Sequence, residues 1–195
     1  MDSFSTGQRK WQRDEVAQLL TSTTALTELD LDAARVVVRT MKTSNYKKGT
    51  VLMQEGVASN GFMMLILRGE VVVEQQQLRR SDALILGVVG AGSVLGEMSL
   101  MDGEPRSATC TAFTDIEAAV LDRAALIALM DADPRACSKL LAVLFKRVSE
   151  RLRATNKKLR AVHQVAQTLR EHVPEAKAAG LAPLVAAPSE GMILL

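Results

Sequence analysis

The feature that most constrains the fold is a series of short apolar segments, bounded by glycine-rich turns, between residues 45 and 121. One of them, Phe62 to Leu67, is a continuous apolar run between Gly61 and Arg68, which is typical of a buried strand. About seven or eight such segments at regular spacing predict an antiparallel β-roll or jelly roll. The segments are Val51–Met53, 62–67, Val71–Val73, Ala83–Val89, Ser93–Leu95, Thr109–Ala112 and Ile116–Leu121, with a polar hairpin tip expected at 75–82.

Helical patterns flank this series on both sides. Upstream, residues 8–21 form an amphipathic pattern, and Asp30 is a suitable N-cap for a second helix. Downstream, a helical pattern over 123–130 is followed by Asp133, which can cap another helix beginning at Pro134. We therefore predict an α+β chain, in which an antiparallel β-roll or jelly roll is flanked by N-terminal helices and a long C-terminal dimerisation helix.

The helix that begins at Pro134 continues without a breaker to about His172, ahead of Pro174. At about 1.5 Å per residue it spans roughly 60 Å, which is more than one small domain covers. Its apolar residues alternate spacings of four and three, a heptad pattern that calls for a second helix. We predict that the first turns pack on the β-roll and that the remainder forms a parallel coiled-coil homodimer. The stripe consists of Leu141, Phe145, Val148, Leu152, Thr155, Leu159, Val162, Ala166 and Leu169.

These patterns divide the chain into four parts. Residues 1–42 carry the N-terminal helices, 43–122 the β-roll, and 123–173 a hinge helix and the long dimerisation helix. Residues 174–195 are rich in Ala and Pro, which predicts a flexible tail. The tail ends in the apolar sequence Gly191–Leu195, for which two roles stay open: packing against the domain or contact with a partner.

Composition argues against several classes of protein. A formal net charge of +2 over 195 residues does not indicate a nucleic-acid-binding protein. No apolar run approaches the roughly 18 residues of a membrane span, and the first residues lack a secretion signal. Cys110 and Cys137 have no metal-ligand or disulfide spacing, and His163 and His172 lack metal-binding neighbours. We therefore predict a cytoplasmic protein that is not an enzyme, holds no metal, and makes no direct contact with nucleic acid or membrane.

The segment 96–109 has the composition of a pocket for a small organic anion. Gly96 allows the backbone to approach a ligand closely because it has no Cβ. The short helical turn that follows offers N–H groups near Met98 and Ser99 that suit an anion. Arg106 is a planar cation that binds a phosphate through two parallel hydrogen bonds.

Two further residues of this segment suit a ligand that combines a sugar with a phosphate. Glu97 supplies acceptors for ribose hydroxyls, and Ser107 is a small donor beside the arginine. The carboxylate and the guanidinium are nine residues apart across a glycine turn. The alternative is a surface turn in which Glu97 and Arg106 pair only with each other.

This segment resembles the phosphate-binding cassette of cyclic nucleotide-binding domains, as in bacterial catabolite activators and the regulatory subunits of cAMP-dependent kinases. Gly96-Glu97, Ser99 and the run Pro105-Arg106-Ser107-Ala108-Thr109 fall at the family's spacing. The resemblance covers roughly residues 26–170 and implies the same β-roll, with cAMP or cGMP as its ligand. The ligand-binding residues that it implies here are Gly96, Glu97, Met98, Ser99, Arg106 and Ser107.

The resemblance also points to a polar pair in the long helix. In catabolite activators this helix carries adjacent small polar residues that contact the base, and Thr155-Asn156 falls at the corresponding place. Thr155 and Asn156 are therefore implied to bind the base. A second interpretation stays open, in which this polar break in the apolar stripe fixes the register of the dimer. The run Arg106-Ser107-Ala108 looks more like bacterial cAMP receptors, which favours cAMP over cGMP.

A transcription factor of the catabolite-activator type follows its long helix with a helix-turn-helix domain. We expect none here, because the residues after Pro174 are predicted to form a flexible tail. The favoured hypothesis is a stand-alone cyclic-nucleotide sensor that regulates an unidentified effector protein through a ligand-dependent change of a homodimer. The alternative is a structural or assembly subunit that keeps the β-roll but does not respond to nucleotide.

Overall fold

A computed structural model of the chain describes residues 11–58, 61–76 and 83–172. The chain divides into two compact units, one ending at Val148 and the other beginning at Ser149. The helices are α1 (Arg13–Leu20), α2 (Leu31–Thr40), α3 (Glu97–Asp102), α4 (Arg123–Ala132) and α5 (Pro134–His172). The strands are β1 (Lys42–Tyr46), β2 (Val51–Met53), β3 (Phe62–Arg68), β4 (Val71–Gln76), β5 (Ala83–Val89), β6 (Val94–Leu95), β7 (Thr109–Ala112) and β8 (Ile116–Asp122).

The strands form two four-stranded sheets in which every described pair is antiparallel. One sheet has the order β1-β8-β3-β6, and the other has the order β2-β7-β4-β5. Consecutive strands therefore alternate between sheets over much of the chain, as a rolled rather than a meandering topology requires. The predicted α+β architecture with an antiparallel β-roll is confirmed.

Strand β3 is buried on both of its faces, which explains why its sequence is continuously apolar. Successive side chains of a strand point to opposite faces of the sheet. Met63 and Leu65 belong to the core shared with the helices, whereas Met64 and Ile66 belong to the core between the two sheets. All four side chains are fully buried. The sheet that contains β3 is therefore covered on both faces, and neither face of this strand tolerates polar residues.

The helix starts follow the predicted capping pattern. The Asp30 carboxylate accepts a hydrogen bond from the Ala33 N–H at 2.9 Å, and Asp133 accepts one from the Ala136 N–H at 2.9 Å. These bonds satisfy N–H groups that lack partners in the first turn of a helix. Both predicted caps are therefore confirmed, and α5 begins at Pro134 as expected.

The first turns of α5 pack on the remainder of their own unit. Leu140 and Leu144 are fully buried in the core shared by the helices and β3. The Lys139 ammonium lies 2.7 Å from an Asp30 carboxylate oxygen, and the Arg147 guanidinium donates to the Ala25 carbonyl at 2.6 Å. The predicted packing of these turns on the β-roll unit is confirmed.

Some predicted boundaries were wrong. The first described helical residue is Arg13, although the pattern began at residue 8; residues 8–10 lie outside the described residues. The polar segment Lys42–Tyr46 forms strand β1, which the periodicity did not predict before residue 45. Gln75 belongs to β4 and pairs with Leu84, so it is not part of the hairpin tip. The rest of that tip and the tail from residue 173 lie outside the described residues.

The second unit contains the remainder of α5 within the described residues. Its large apolar side chains are mostly more than half exposed, as for Leu152 at 60% and Leu159 at 63%. Such a continuous exposed stripe is what a partner helix covers, but the homodimer stays a prediction. No helix in the described part of the chain is both long and apolar enough to cross a membrane.

Candidate ligand-binding site

The site is built around Gly96, which joins β6 to α3. Its φ of +77° lies in the left-handed region that favours glycine. A Cβ at this position would lie 2.5 Å from Nη1 of Arg106 and 2.7 Å from the Phe62 carbonyl oxygen. Because Gly96 has no side chain, it can adopt the conformation of this turn and also leaves space for the arginine to approach closely.

Backbone hydrogen bonds position Arg106 against the loop that follows β2. The Gly56 N–H donates to the Arg106 carbonyl at 2.8 Å, and the Arg106 N–H donates to the Val57 carbonyl at 3.2 Å. Three residues after Arg106, the Thr109 hydroxyl accepts a hydrogen bond from the Glu55 N–H at 3.1 Å. These three hydrogen bonds hold the backbone around Arg106 in place, so the position from which its side chain extends into the interior is fixed.

The Arg106 side chain is only 6% exposed. Nη1 donates to the Phe62 carbonyl at 2.9 Å and to the Gly96 carbonyl at 3.1 Å. The centre of the guanidinium lies 4.1 Å from the centroid of the Phe62 ring. Nη2 is buried and has no hydrogen-bond partner among the described residues. A buried guanidinium nitrogen without an acceptor is unusual and suits an anionic ligand.

The electrostatic surroundings keep one positive charge at this place. Burial lowers the pKa of Arg106, and the negative charges of an ionised Cys110 thiolate and of Glu97 oppose that shift. An arginine side chain nevertheless remains protonated in proteins. Burial raises the pKa of the Cys110 thiol to about 11, so this side chain is neutral at physiological pH. The site therefore offers a fixed cation beside a neutral thiol.

The other predicted residues of this segment lie on and after α3. Glu97 and Ser99 are buried at 3% exposure each, and the Ser99 hydroxyl donates to the Gly96 carbonyl at 3.4 Å. Ser107 is exposed, with its hydroxyl 4.0 Å from the sulfur of half-buried Met98. Glu97 is as deeply buried as the arginine, so this turn does not lie at the surface as the alternative assumed. Whether the two side chains pair only with each other stays open.

The two residues implied to contact the base belong to the second compact unit of the chain. Thr155 and Asn156 belong to α5 in the second compact unit, where Thr155 is exposed and Asn156 is half-buried. The segment 96–109 belongs to the first unit. Their role as base contacts therefore stays a prediction.

Three residues of the site were missed by the sequence analysis. From the sequence, Phe62 was assigned only to a buried strand, and only the lack of metal-ligand or disulfide spacing was noted for Cys110. Gln75 donates from Nε2 to the Ser107 carbonyl at 3.4 Å, although it was assigned to a hairpin tip. Phe62 and Gln75 contact residues 44 and 32 positions further along the chain, so no local pattern singles them out.

Comparison with known proteins agrees with this geometry. The family described as the cyclic nucleotide-binding domain matches residues 43–133. The chain is 27% identical over 127 residues to the CRP-like cAMP-activated global transcriptional regulator of Mycobacterium tuberculosis, which covers 65% of this chain and 54% of that protein. It is 28% identical over 112 residues to the cAMP-dependent protein kinase regulatory subunit of Candida albicans, which covers 57% of this chain and 23% of that protein.

Solved structures share the fold. A cyclic nucleotide-binding domain from Methylobacillus flagellatus superposes with a TM-score of 0.64 at 29% identity, over 75% of this chain and 81% of that one. The chain spans about half of the length of the bacterial regulator and less of the kinase subunit. The segment that contains Gly96, Glu97 and Arg106 lies inside the matched range. Residues 43–133 of this chain are therefore a domain of the cyclic nucleotide-binding family.

Proposed function

We propose that this protein is a cyclic-nucleotide sensor that binds its ligand at the segment 96–109 and regulates a partner protein in response. The observation that carries the proposal is the buried guanidinium of Arg106, whose Nη2 has no acceptor among the described residues. A cyclic nucleotide supplies such an acceptor, because its phosphodiester has a single negative charge spread over two exocyclic oxygens. The names of the two curated relatives, one cAMP-activated and one cAMP-dependent, support the same ligand class.

The residues of the segment have complementary roles in this proposal. The Arg106 guanidinium binds the exocyclic phosphate oxygens, and charge-assisted bonds of this kind are the stronger class of hydrogen bond. Backbone N–H groups near Met98, Ser99 and Ser107 assist it. The Glu97 carboxylate accepts a hydrogen bond from the ribose 2′-hydroxyl. Gly96 leaves room for the arginine to reach its place.

The base is proposed to be adenine, bound by Thr155 and Asn156. Adenine presents its N6 amino group as a donor beside N7 as an acceptor, a pattern that an asparagine amide matches with two bonds. A threonine hydroxyl accepts from N6 as well. Guanine presents O6 in that place, so the same side chains have to reorient to donate. We therefore expect cAMP to bind more tightly than cGMP.

We further propose that the regulatory unit is a parallel homodimer. The supporting observation is the row of exposed apolar side chains on α5, including Phe145, Leu152 and Leu159. Burying such a row against its symmetry mate removes a large apolar area from water. Occupancy of the nucleotide site would then change how the dimer contacts an effector protein, whose identity is open.

Isothermal titration calorimetry with cAMP, cGMP and 5′-AMP tests this function. We expect saturable binding of cAMP, weaker binding of cGMP, and much weaker binding of 5′-AMP, which carries a dianionic monoester instead of the cyclic diester. A preference for cGMP of about tenfold, or 1.4 kcal/mol, would contradict the assignment of Thr155 and Asn156 to adenine. No binding of either cyclic nucleotide would instead favour a structural or assembly subunit that keeps the fold without responding to nucleotide.

A further inference from the structure

We infer that Phe62 is a positioning residue for Arg106: its ring and its carbonyl oxygen together fix the guanidinium so that Nη2 remains for the ligand. The inference rests on the proposed nucleotide-binding role of Arg106. Phe62 opens strand β3, 44 residues before the arginine, and it was expected only to fill the core.

Two contacts from one residue restrain the guanidinium in different directions. The Phe62 ring centroid lies 4.1 Å from the central carbon of the guanidinium, so the ring limits movement towards its own face. The Phe62 carbonyl accepts from Nη1 at 2.9 Å, and the Gly96 carbonyl accepts from the same nitrogen at 3.1 Å. These two acceptors occupy Nη1 and resist rotation within the guanidinium plane. Nη2 is then the terminal nitrogen that no described residue engages.

Burial makes the ring contact stronger than a surface contact of the same kind. The cation has lost most of its water, since its side chain is 6% exposed, and the negative face of an aromatic ring replaces part of that solvation. The chain contains a surface counterpart: the exposed Lys48 ammonium lies 5.7 Å from the ring centroid of Phe113, which is itself 52% exposed. Phe113 therefore offers a matched control for an aromatic residue next to a cation.

A purely structural role for Phe62 has to be separated from positioning, because its side chain also packs against the core between the sheets. Phe62→Leu keeps an apolar side chain and the backbone carbonyl but removes the aromatic face. Phe62→Tyr restores that face. A residue that only fills space loses stability when the smaller Leu replaces it, but cAMP affinity then changes little as long as the protein stays folded. A residue that orients a cation loses cAMP affinity with Leu and recovers it with Tyr.

The first measurement is the affinity for cAMP, with urea unfolding of the ligand-free protein as the check on folding. We expect Phe62→Leu to weaken cAMP binding by at least about tenfold, Phe62→Tyr to bind nearly as the parent does, and Phe113→Leu to leave the affinity unchanged. Parent-like affinity for a folded Phe62→Leu protein would overturn the inference. Equal losses for Leu and Tyr would do the same.

The second measurement is a double-mutant cycle with Arg106→Gln. If Phe62 acts through the arginine, Phe62→Leu has little further effect on cAMP affinity once Arg106 is replaced, measured at millimolar nucleotide. An undiminished effect would show that Phe62 acts independently and would overturn the inference. The same cycle in ligand-free urea unfolding should show coupling between the two substitutions, and its absence would refute the contact. If the parent protein binds neither cyclic nucleotide, the proposed function fails, and the ligand-free cycle still decides whether Phe62 holds Arg106.

Discussion

Replacing Gly96 by alanine tests the central geometric feature of the site. Two penalties add at this position. An L-residue in the left-handed region costs about 1–2 kcal/mol, and the φ of Gly96 is +77°. The new methyl group would also lie 2.5 Å from Nη1 of Arg106 and 2.8 Å from the Met53 methyl carbon. Forcing extra volume into a packed interior costs roughly 1–3 kcal/mol, so we expect a total destabilisation of about 2–5 kcal/mol.

Gly49 provides the matched control. Its φ of +83° is nearly that of Gly96, but a Cβ there would meet nothing within 4 Å. Gly49→Ala should therefore lose only the backbone part, about 1–2 kcal/mol. With a urea m-value of about 2 kcal/mol/M, the two variants should differ in unfolding midpoint by roughly 0.5–1.5 M.

The two variants should also differ in ligand binding. In Gly96→Ala the arginine has to leave one or both of its carbonyl acceptors, so we expect cAMP affinity to fall by at least about tenfold, or 1.4 kcal/mol. Gly49→Ala should bind as the parent does. If both variants unfold at the same urea concentration, the close approach at Gly96 does not exist in solution. If they unfold differently but bind cAMP equally well, the approach exists but does not serve the ligand.

Four further predictions test separate parts of the molecule. Arg106→Ala should weaken cAMP binding by at least about thirtyfold while the protein stays folded by circular dichroism, because one partner of a buried charged contact is lost; parent-like binding would refute the ligand assignment. Glu97→Gln should cost less, about 1–2 kcal/mol of binding free energy, since an amide oxygen still accepts from the ribose, and calorimetry measures the difference. The parent protein should sediment near twice the monomer mass and shift towards monomer in Leu152→Asp or Leu159→Asp; a monomeric parent at micromolar concentration would exclude the coiled coil. Burial raises the pKa of Cys110 from 9.0 to about 11, so the contribution of this thiol to stability is full below pH 9.0 and is lost as the pH rises towards 11. Cys110→Ala should therefore reduce the decline of the unfolding free energy between pH 9.0 and 11, and an unchanged decline would contradict the raised pKa.

The parts of the fold that follow from local patterns were predicted from the sequence. The run Phe62–Leu67, the caps Asp30 and Asp133, and the unbroken pattern after Pro134 each depend on neighbours in the chain. Strand β1 does not: its sequence Lys42–Tyr46 is polar, and it becomes a strand because β8 offers a partner in register from Val120 to Ile116. Such pairing is a tertiary effect, which overrides weak local propensity.

In the candidate site too, local features were predictable from the sequence and long-range contacts were not. The segment 96–109 was recognisable because its glycine, carboxylate and arginine are close in sequence. The contact between Arg106 and Phe62 joins residues 44 positions apart, and no local pattern marks it. The unpartnered Nη2 is likewise a property of the packed structure alone. The sequence therefore predicted which cation would bind a ligand, whereas only the structure indicates which nitrogen of that cation has no hydrogen-bond partner among the described residues.

The charges of the site favour a sugar phosphate over a simple anion. Arg106 offers one buried positive charge, and the Glu97 carboxylate is close enough to oppose the lowering of the pKa of that arginine. Inorganic phosphate would also bind the guanidinium. It has up to two negative charges, however, which the Glu97 carboxylate repels, and its oxygens are mainly hydrogen-bond acceptors, as the carboxylate oxygens are. A cyclic nucleotide brings a single negative charge to the arginine and a hydroxyl donor to the carboxylate. One ligand then offers each of these buried groups a hydrogen-bonding partner of suitable charge. Phosphate should consequently compete with cAMP only weakly in the parent protein, and relatively better in Glu97→Gln.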